Sequence, residues 1–200
     1  KFSSVLVLLL TNTCYAQERP VVADQGTVDR GSTYRNATLG IAIALPGTGH
    51  IIGKATSSGS AAPQNHSKLS DCRGPLCGHP SIDVAIESPF RGSPGYAIFL
   101  AAYKLSGEYQ DPMKHPLKDF ANVMIVRNLG RLWITESRLT PMRLGGKPAF
   151  MLLAHNRKTP SAKAFMYVSK SSGYVFMLVA TTVSAPEELR SAVENMQLVN

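Results

Sequence analysis

The chain has 200 residues, of which 44% are hydrophobic and 17% are charged, with a formal net charge of +8 at pH 7. This length suits a single domain, and the apolar content is sufficient for a core. The basic residues are scattered along the sequence without a run of Lys or Arg, so the composition gives only weak support for a nucleic-acid-binding protein. Two interpretations of the basic excess remain, a solvated basic surface and affinity for an anionic envelope surface.

The N-terminus has the features of a secretory signal peptide over residues 1–16. Lys1 precedes the apolar run at residues 5–10. The small residues Cys14 and Ala16, at the −3 and −1 positions, predict cleavage between Ala16 and Gln17. The apolar run is shorter than the roughly 20 residues that a membrane-spanning helix needs. No later stretch is a transmembrane candidate. The pattern predicts an exported protein, periplasmic or extracellular.

Three segments follow in chain order. Residues 17–32 are polar and contain Gly and Pro, which is typical of a flexible lead-in. Residues 33–46 end in small and aliphatic residues followed by Pro46, which predicts a strand with a definite stop. Residues 47–80 are rich in Gly, Ser, Pro, Asn and His and predict a long surface loop inserted into one domain that spans residues 33–200.

Order returns after this insertion. Residues 82–88 and 96–105 have the composition of strands. After Pro116, apolar residues recur at helical spacing (Leu117, Phe120, Ala121, Met124), and Gly130 provides a stop. The mid-chain therefore predicts two strands and an amphipathic helix.

The last third predicts four strands and a helix. A strand is expected over residues 132–139, extended to 144, and others over 149–155, 163–168 and 174–183. Tight hairpins are expected at Gly145-Gly146 and around residues 171–173. The final helix has Pro186 in its first turn, and Ser184 and Glu187 have the spacing of a capping box. Its apolar residues recur at i, i+3, i+4 and i+7, namely Leu189, Ala192, Val193 and Met196. With one helix on each side of a largely antiparallel sheet, the predicted fold class is α+β, an α/β/α sandwich.

This pattern resembles the Mog1/PsbP/DcrB-type sandwich family. The segment "YRNATLGIAIALP" at residues 34–46 is similar to the opening of PsbP-like proteins. Residues 117–198, with "LGGKPAFMLLAH" and "GYVFMLVATT", are similar to the second half of that fold. The resemblance implies an exported accessory or small binding protein without catalytic activity. It assigns no functional residue, and the insertion and two cysteines depart from it.

Cys72 and Cys77 are separated by four residues that include a Gly-Pro turn. In an oxidising compartment this spacing is most simply a disulfide. The alternative is a metal site formed by His66, Cys72, Cys77 and His79, whose ligand types suit zinc. The spacing is wrong for attachment of a c-type haem.

Other chemistry is weakly supported. Residues 47–56 follow a strand and contain Gly53-Lys54, but Thr48 and Ala55 occupy positions where a phosphate-binding loop needs Gly and Ser or Thr. No Gly-x-Ser-x-Gly elbow accompanies the five His residues. Asp83 and Glu87 would lie about 13 Å apart on one strand face, too far for a glycosidase pair. A larger set of aromatic residues suits either a binding groove or the core: Tyr96, Tyr103, Trp133, Tyr167 and Tyr174.

Two functional hypotheses follow. The first is an exported, non-enzymatic accessory or binding protein without a cofactor, whose partner is a protein or small molecule of the cell envelope. The second is a secreted hydrolase or metal-dependent enzyme with its site in the 47–80 insertion. Metal content and free-thiol titration would distinguish the two.

Overall fold

A computed structural model describes residues 26–30, 32–53, 75–77, 80–88, 95–130 and 132–198. Within these ranges the chain forms two sheets in which every pairing is antiparallel. The small sheet has the order β1-β2-β3-β12, and the large sheet has the order β4-β5-β6-β11-β10-β9-β7, with β8 also pairing β9. The strands are β1 Thr27–Asp29, β2 Thr33–Asn36, β3 Ile41–Ala44, β4 His50–Gly53, β5 Ile82–Glu87, β6 Tyr96–Lys104, β7 Trp133–Thr135, β8 Thr140–Leu144, β9 Lys147–Asn156, β10 Lys163–Ser171, β11 Tyr174–Thr182 and β12 Gln197–Leu198.

The two predicted hairpins are confirmed. Gly145 and Gly146 both have positive φ, 55° and 81°, and join β8 to β9. Ser172 and Gly173, with φ of 51° and 77°, join β10 to β11. Two consecutive residues with positive φ give the turn whose twist matches that of the flanking strands.

The two helices lie on opposite faces of the large sheet. Helix α1 (Leu117–Leu129) packs on β9, β10 and β11 through the buried residues Phe120, Ala121, Met124 and Ile125. Helix α2 (Pro186–Glu194) buries Leu189 and Val193 against β11, β3 and β8. The apolar spacing that predicted both helices is therefore confirmed.

The predicted α/β/α sandwich is wrong, because the fold is mostly antiparallel β-sheet with two short helices. Helix α2 has nine residues, so it is about 14 Å long at 1.5 Å per residue. The seven neighbouring strands of the large sheet span about 29 Å, at 4.8 Å between adjacent strands. Helix α2 is therefore too short to cover the whole face. The small sheet shares this layer with α2, and Tyr34, Leu39, Ile41 and Ile43 enter the core there.

Two local predictions also change. Residues 132–144 form two strands rather than one, because the N–H groups of Glu136 and Ser137 both donate to the Leu153 carbonyl, at 2.8 and 3.3 Å, where β7 ends. Within the predicted 47–80 loop, residues 50–53 form strand β4, which pairs with β5 at one edge of the large sheet. Residues 54–74 lie outside the described ranges.

Candidate functional site

The positive charge is concentrated in one part of the sequence. Residues 131–170 contain eight Lys and Arg and one acidic residue, Glu136, a net charge of +7. The other 160 residues together contribute +1. The expectation that the basic residues are scattered is therefore wrong. They form no consecutive run, and the asymmetry appears only in the net charge of a 40-residue window. The segment covers β7, β8, β9 and most of β10, which form one side of the large sheet.

Several of these cations have structural partners. Lys147 Nζ donates to Ser171 Oγ at 3.1 Å, and Lys170 Nζ donates to the His115 carbonyl at 3.1 Å while lying 4.6 Å from the centre of the Phe120 ring. Burial lowers the pKa of Lys170. Arg143 donates to the Gly146 carbonyl at 2.7 Å within its own hairpin. These groups fix loops to the sheet.

Ser171 and Lys147 do not form an activated nucleophile. Ser171 Oγ donates its hydrogen to the Leu39 carbonyl at 2.6 Å and accepts from the Lys147 ammonium. An activated serine instead needs a base that accepts its proton. The pair therefore ties the loop before β3 to the end of β10.

Arg138, Arg157 and Lys158 differ from these cations. All three are exposed, and no hydrogen bond or ion pair of their charged groups is found among the described residues. Arg157 and Lys158 lie in the turn between β9 and β10. Asn156 Oδ1 fixes that turn by accepting from the Lys158 N–H at 2.9 Å and the Thr159 N–H at 3.2 Å. Two cations are thus presented to solvent on an ordered turn.

Beside this turn lies a cluster of titratable groups on β9, β10 and the end of β7. Glu136 Oε1 accepts from Lys163 Nζ and lies 2.9 Å from His155 Nδ1. His155 Nδ1 is buried and makes no hydrogen bond of good geometry, although it lies this close to the Glu136 carboxylate. The hydrogen bond from Lys163 is the first cause that lowers the pKa of Glu136, with the nearby charges of Lys163 and His155 adding to it.

Among the described residues, the cluster has no nucleophile hydrogen-bonded to its imidazole. A carboxylate that orients an imidazole is half of a catalytic triad, but no Ser, Thr or Cys is hydrogen-bonded to His155 among the described residues. A shallow crevice is lined by Pro46, Tyr96, Thr182 and Leu189, and its roughly 140 Å³ includes open solvent. It is therefore too small for a typical small-molecule site, and it does not include the cluster.

The residues proposed as metal ligands cannot be compared with the structure. His66, Cys72 and His79 lie outside the described residues, and Cys77 ends a short 3-10 turn, Pro75–Cys77. The predicted cleavage site at Ala16 and Gln17 also lies outside them. The part of the chain that is described contains no group of three His, Cys, Asp or Glu side chains able to hold a metal ion. The disulfide, the metal site and the cleavage site stay predictions.

The remaining candidate residues, two carboxylates and two histidines, differ in burial and contacts. Asp83, the second residue of β5, is 3% exposed, whereas Glu87 at the end of the strand is half-buried. His115 stacks on Tyr109 with ring centres 4.5 Å apart. His155, one residue before the end of β9, is half-buried in the cluster.

The aromatic residues belong mainly to the cores rather than to a groove. Tyr96 and Tyr167 are buried, and Tyr103, Trp133 and Tyr174 are half-buried against the two hydrophobic clusters. Burial raises the pKa of Tyr96 to about 12. Burial, together with the nearby Glu194 carboxylate to which its hydroxyl donates at 3.3 Å, also raises the pKa of Tyr167.

No protein-family model and no curated protein matches the chain. Among solved structures, the chain is similar to LpqN of Mycobacterium tuberculosis, described as involved in cell envelope biogenesis, with a TM-score of 0.44 and 19% sequence identity over 86% of this chain and 87% of that one. The resemblance to the PsbP-like family therefore stays a prediction. Within the described residues, neither helix has the length and apolar character needed to cross a bilayer.

Proposed function

We propose that the protein is an exported, non-enzymatic accessory or binding protein of the cell envelope, and that it binds an anionic component through the exposed cations of the segment 131–170. Export rests on the signal-peptide pattern that ends at Ala16. The binding role rests on the charge of this segment and on the exposure of its cations.

The main support for this proposal is the uneven distribution of charge along the chain. A net charge of +7 on residues 131–170, against +1 on the rest of the chain, is expected to give a positive potential along the part of the large sheet that contains β7, β8 and β9. Such a potential attracts anions and raises association rates, and salt screens it over about 8–10 Å. A protein whose excess charge served only solubility would not need it on one side.

The described part of the chain supports binding rather than catalysis. Its most concentrated titratable cluster, Glu136 with His155 and Lys163, has no hydrogen-bonded nucleophile. The ion pair uses Glu136 to neutralise Lys163, so Arg157 and Lys158 on the adjacent turn keep their charge without a partner among the described residues.

The test is sedimentation of the protein with washed envelopes of the producing cell at increasing salt. Arg157→Glu/Lys158→Glu should weaken binding by about thirtyfold or more, since each basic residue near an anionic surface contributes about 1 kcal/mol. The matched control is Lys114→Glu/Lys118→Glu, which makes the same charge change at exposed residues outside the segment and should retain most of the binding. Equal loss in both variants, or binding that salt does not weaken, would contradict the proposal.

Two measurements address export and the enzyme alternative. N-terminal sequencing of the exported protein should begin at Gln17, and a lipid on Cys14 would contradict the predicted cleavage. Stoichiometric metal together with two free thiols would favour an enzyme with a site in the 47–80 insertion.

A further inference from the structure

We infer that the anionic component is the surface of an anionic phospholipid bilayer, and that Leu132 and Ile134 enter its interfacial region while Arg157 and Lys158 contact the headgroups. This inference rests on the proposed function and names its partner. We call Leu132, Ile134, Arg157 and Lys158 the docking patch.

The register of β7 and β9 places the patch on one face of the sheet. Ile134 pairs with His155, and the Arg157 N–H donates to the Leu132 carbonyl at 2.8 Å, so the ladder continues to a Leu132–Arg157 pair. Paired residues of adjacent strands share a face, and alternate residues of one strand do too. Leu132, Ile134 and Arg157 therefore project from the same face, at the edge of the sheet.

This edge exposes aliphatic side chains next to unpaired cations. Leu132 is 43% and Ile134 38% exposed, although both are large aliphatic residues. Lys158 follows Arg157 in the turn held by Asn156. Basic residues combined with aliphatic ones on one surface are the composition of an interfacial membrane-binding site, in which apolar burial and attraction to anionic lipids add together.

Other anionic partners fit this edge less well. A small anion needs convergent donors in a concave site, whereas these side chains lie on an open edge. A partner strand adding to β7 would find only three residues, Trp133–Thr135, shorter than the five or six of a typical strand. A flat surface that carries both negative charge and an apolar layer matches both features of the patch.

The chain contains its own reporter of this contact. Trp133 is the one Trp in the sequence, and it lies between Leu132 and Ile134, half-buried on the opposite face. Insertion of its two neighbours should shift Trp emission to shorter wavelength and make it accessible to quenchers on the lipid acyl chains near the headgroups.

The experiment measures binding of the exported protein to vesicles of phosphatidylcholine alone and of an equal mixture with phosphatidylglycerol, by flotation and Trp fluorescence. We expect binding to the mixed vesicles only. Leu132→Gln/Ile134→Thr and Arg157→Glu/Lys158→Glu should each reduce it by about tenfold or more. The controls Val123→Thr/Val126→Thr, at exposed valines of α1, and Lys114→Glu/Lys118→Glu should change it by less than about twofold.

Each of the following outcomes would contradict a specific part of the two proposals. Envelope binding that depends on Arg157 and Lys158, without binding to the mixed vesicles, would exclude the bilayer and leave the proposed function, with a protein or polymer as partner. Full competition by soluble glycerol phosphate, with Leu132→Gln/Ile134→Thr unaffected, would show headgroup recognition without insertion. Binding to neither envelopes nor vesicles would reject both proposals.

Discussion

The β10–β11 hairpin and the β7–β9 edge belong to one sheet but have opposite surroundings. From Ala164 to Ser169 and from Val175 to Ala180, every residue is buried, because α1 covers one face and α2 with the small sheet covers the other. In β7, Ile134 and Thr135 are exposed, and the turn after β9 carries Arg157 and Lys158. The comparison indicates that the centre of the sheet supplies stability, while its basic edge is free to bind.

The largest expected effect is in the central hairpin. Phe176 is 1% exposed, and Phe176→Ala should lower the free energy of unfolding by about 3–5 kcal/mol because it leaves a cavity. Ile134→Ala, at the edge, should cost less than about 1 kcal/mol. Denaturant unfolding followed by circular dichroism measures both. A comparable loss in the two variants would show that the edge shares the core.

The next effect concerns the start of α2. The structure shows no side-chain cap by Ser184. Instead Thr182 Oγ1 donates to the Gly95 carbonyl at 3.0 Å and accepts from the N–H groups of Ser184 and Ala185 at 3.3 and 3.4 Å. Thr182→Val should cost about 1–3 kcal/mol, since it leaves these groups without their partner, and Ser184→Ala less than about 0.5 kcal/mol. If thermal melts showed a larger loss of stability for Ser184→Ala than for Thr182→Val, the predicted capping box would be supported instead.

A smaller effect is expected for the ion pair at the edge. The pKa of Glu136 is lowered in the folded protein, so its contribution is present above the unfolded Glu pKa of about 4.3 and is lost as the pH falls through the folded pKa. Because the group is partly exposed, Glu136→Gln should cost only about 0.2–1 kcal/mol at pH 7. Unfolding measured from pH 7 down to pH 2 should show the variant and the wild type converging. A difference that grows towards low pH would be the wrong sign.

The smallest effect on folding should come from the patch that we expect to matter most for binding. Arg157→Glu/Lys158→Glu should change the free energy of unfolding by less than about 0.5 kcal/mol, because both side chains are exposed and form no ion pair with another described residue. A salt titration of the melting temperature checks this. Strong destabilisation would mean that these cations hold the edge together and that lost binding reflects lost structure.

The sequence by itself determined the elements whose signals are local. Helical spacing located α1 and α2, and the glycines of the two hairpins marked turns where positive φ is needed. The charge of the segment 131–170 was also present in the sequence, as a window count rather than as a run. These features depend on neighbours a few residues apart, which a linear pattern records.

Only the tertiary structure decided how the layers are arranged and what the edge presents. Strand β12 pairs with β3 across about 155 residues of sequence, and Glu136 meets Lys163 across 27. Pairings at such separations depend on the whole packed arrangement, so no local pattern specifies them. The sequence predicted a helical layer on the face of the large sheet where α2 packs. The small sheet forms part of that layer because α2 is too short to cover the face alone. Leu132 and Arg157 came to share a face because β7 is the last strand to pair with that end of β9.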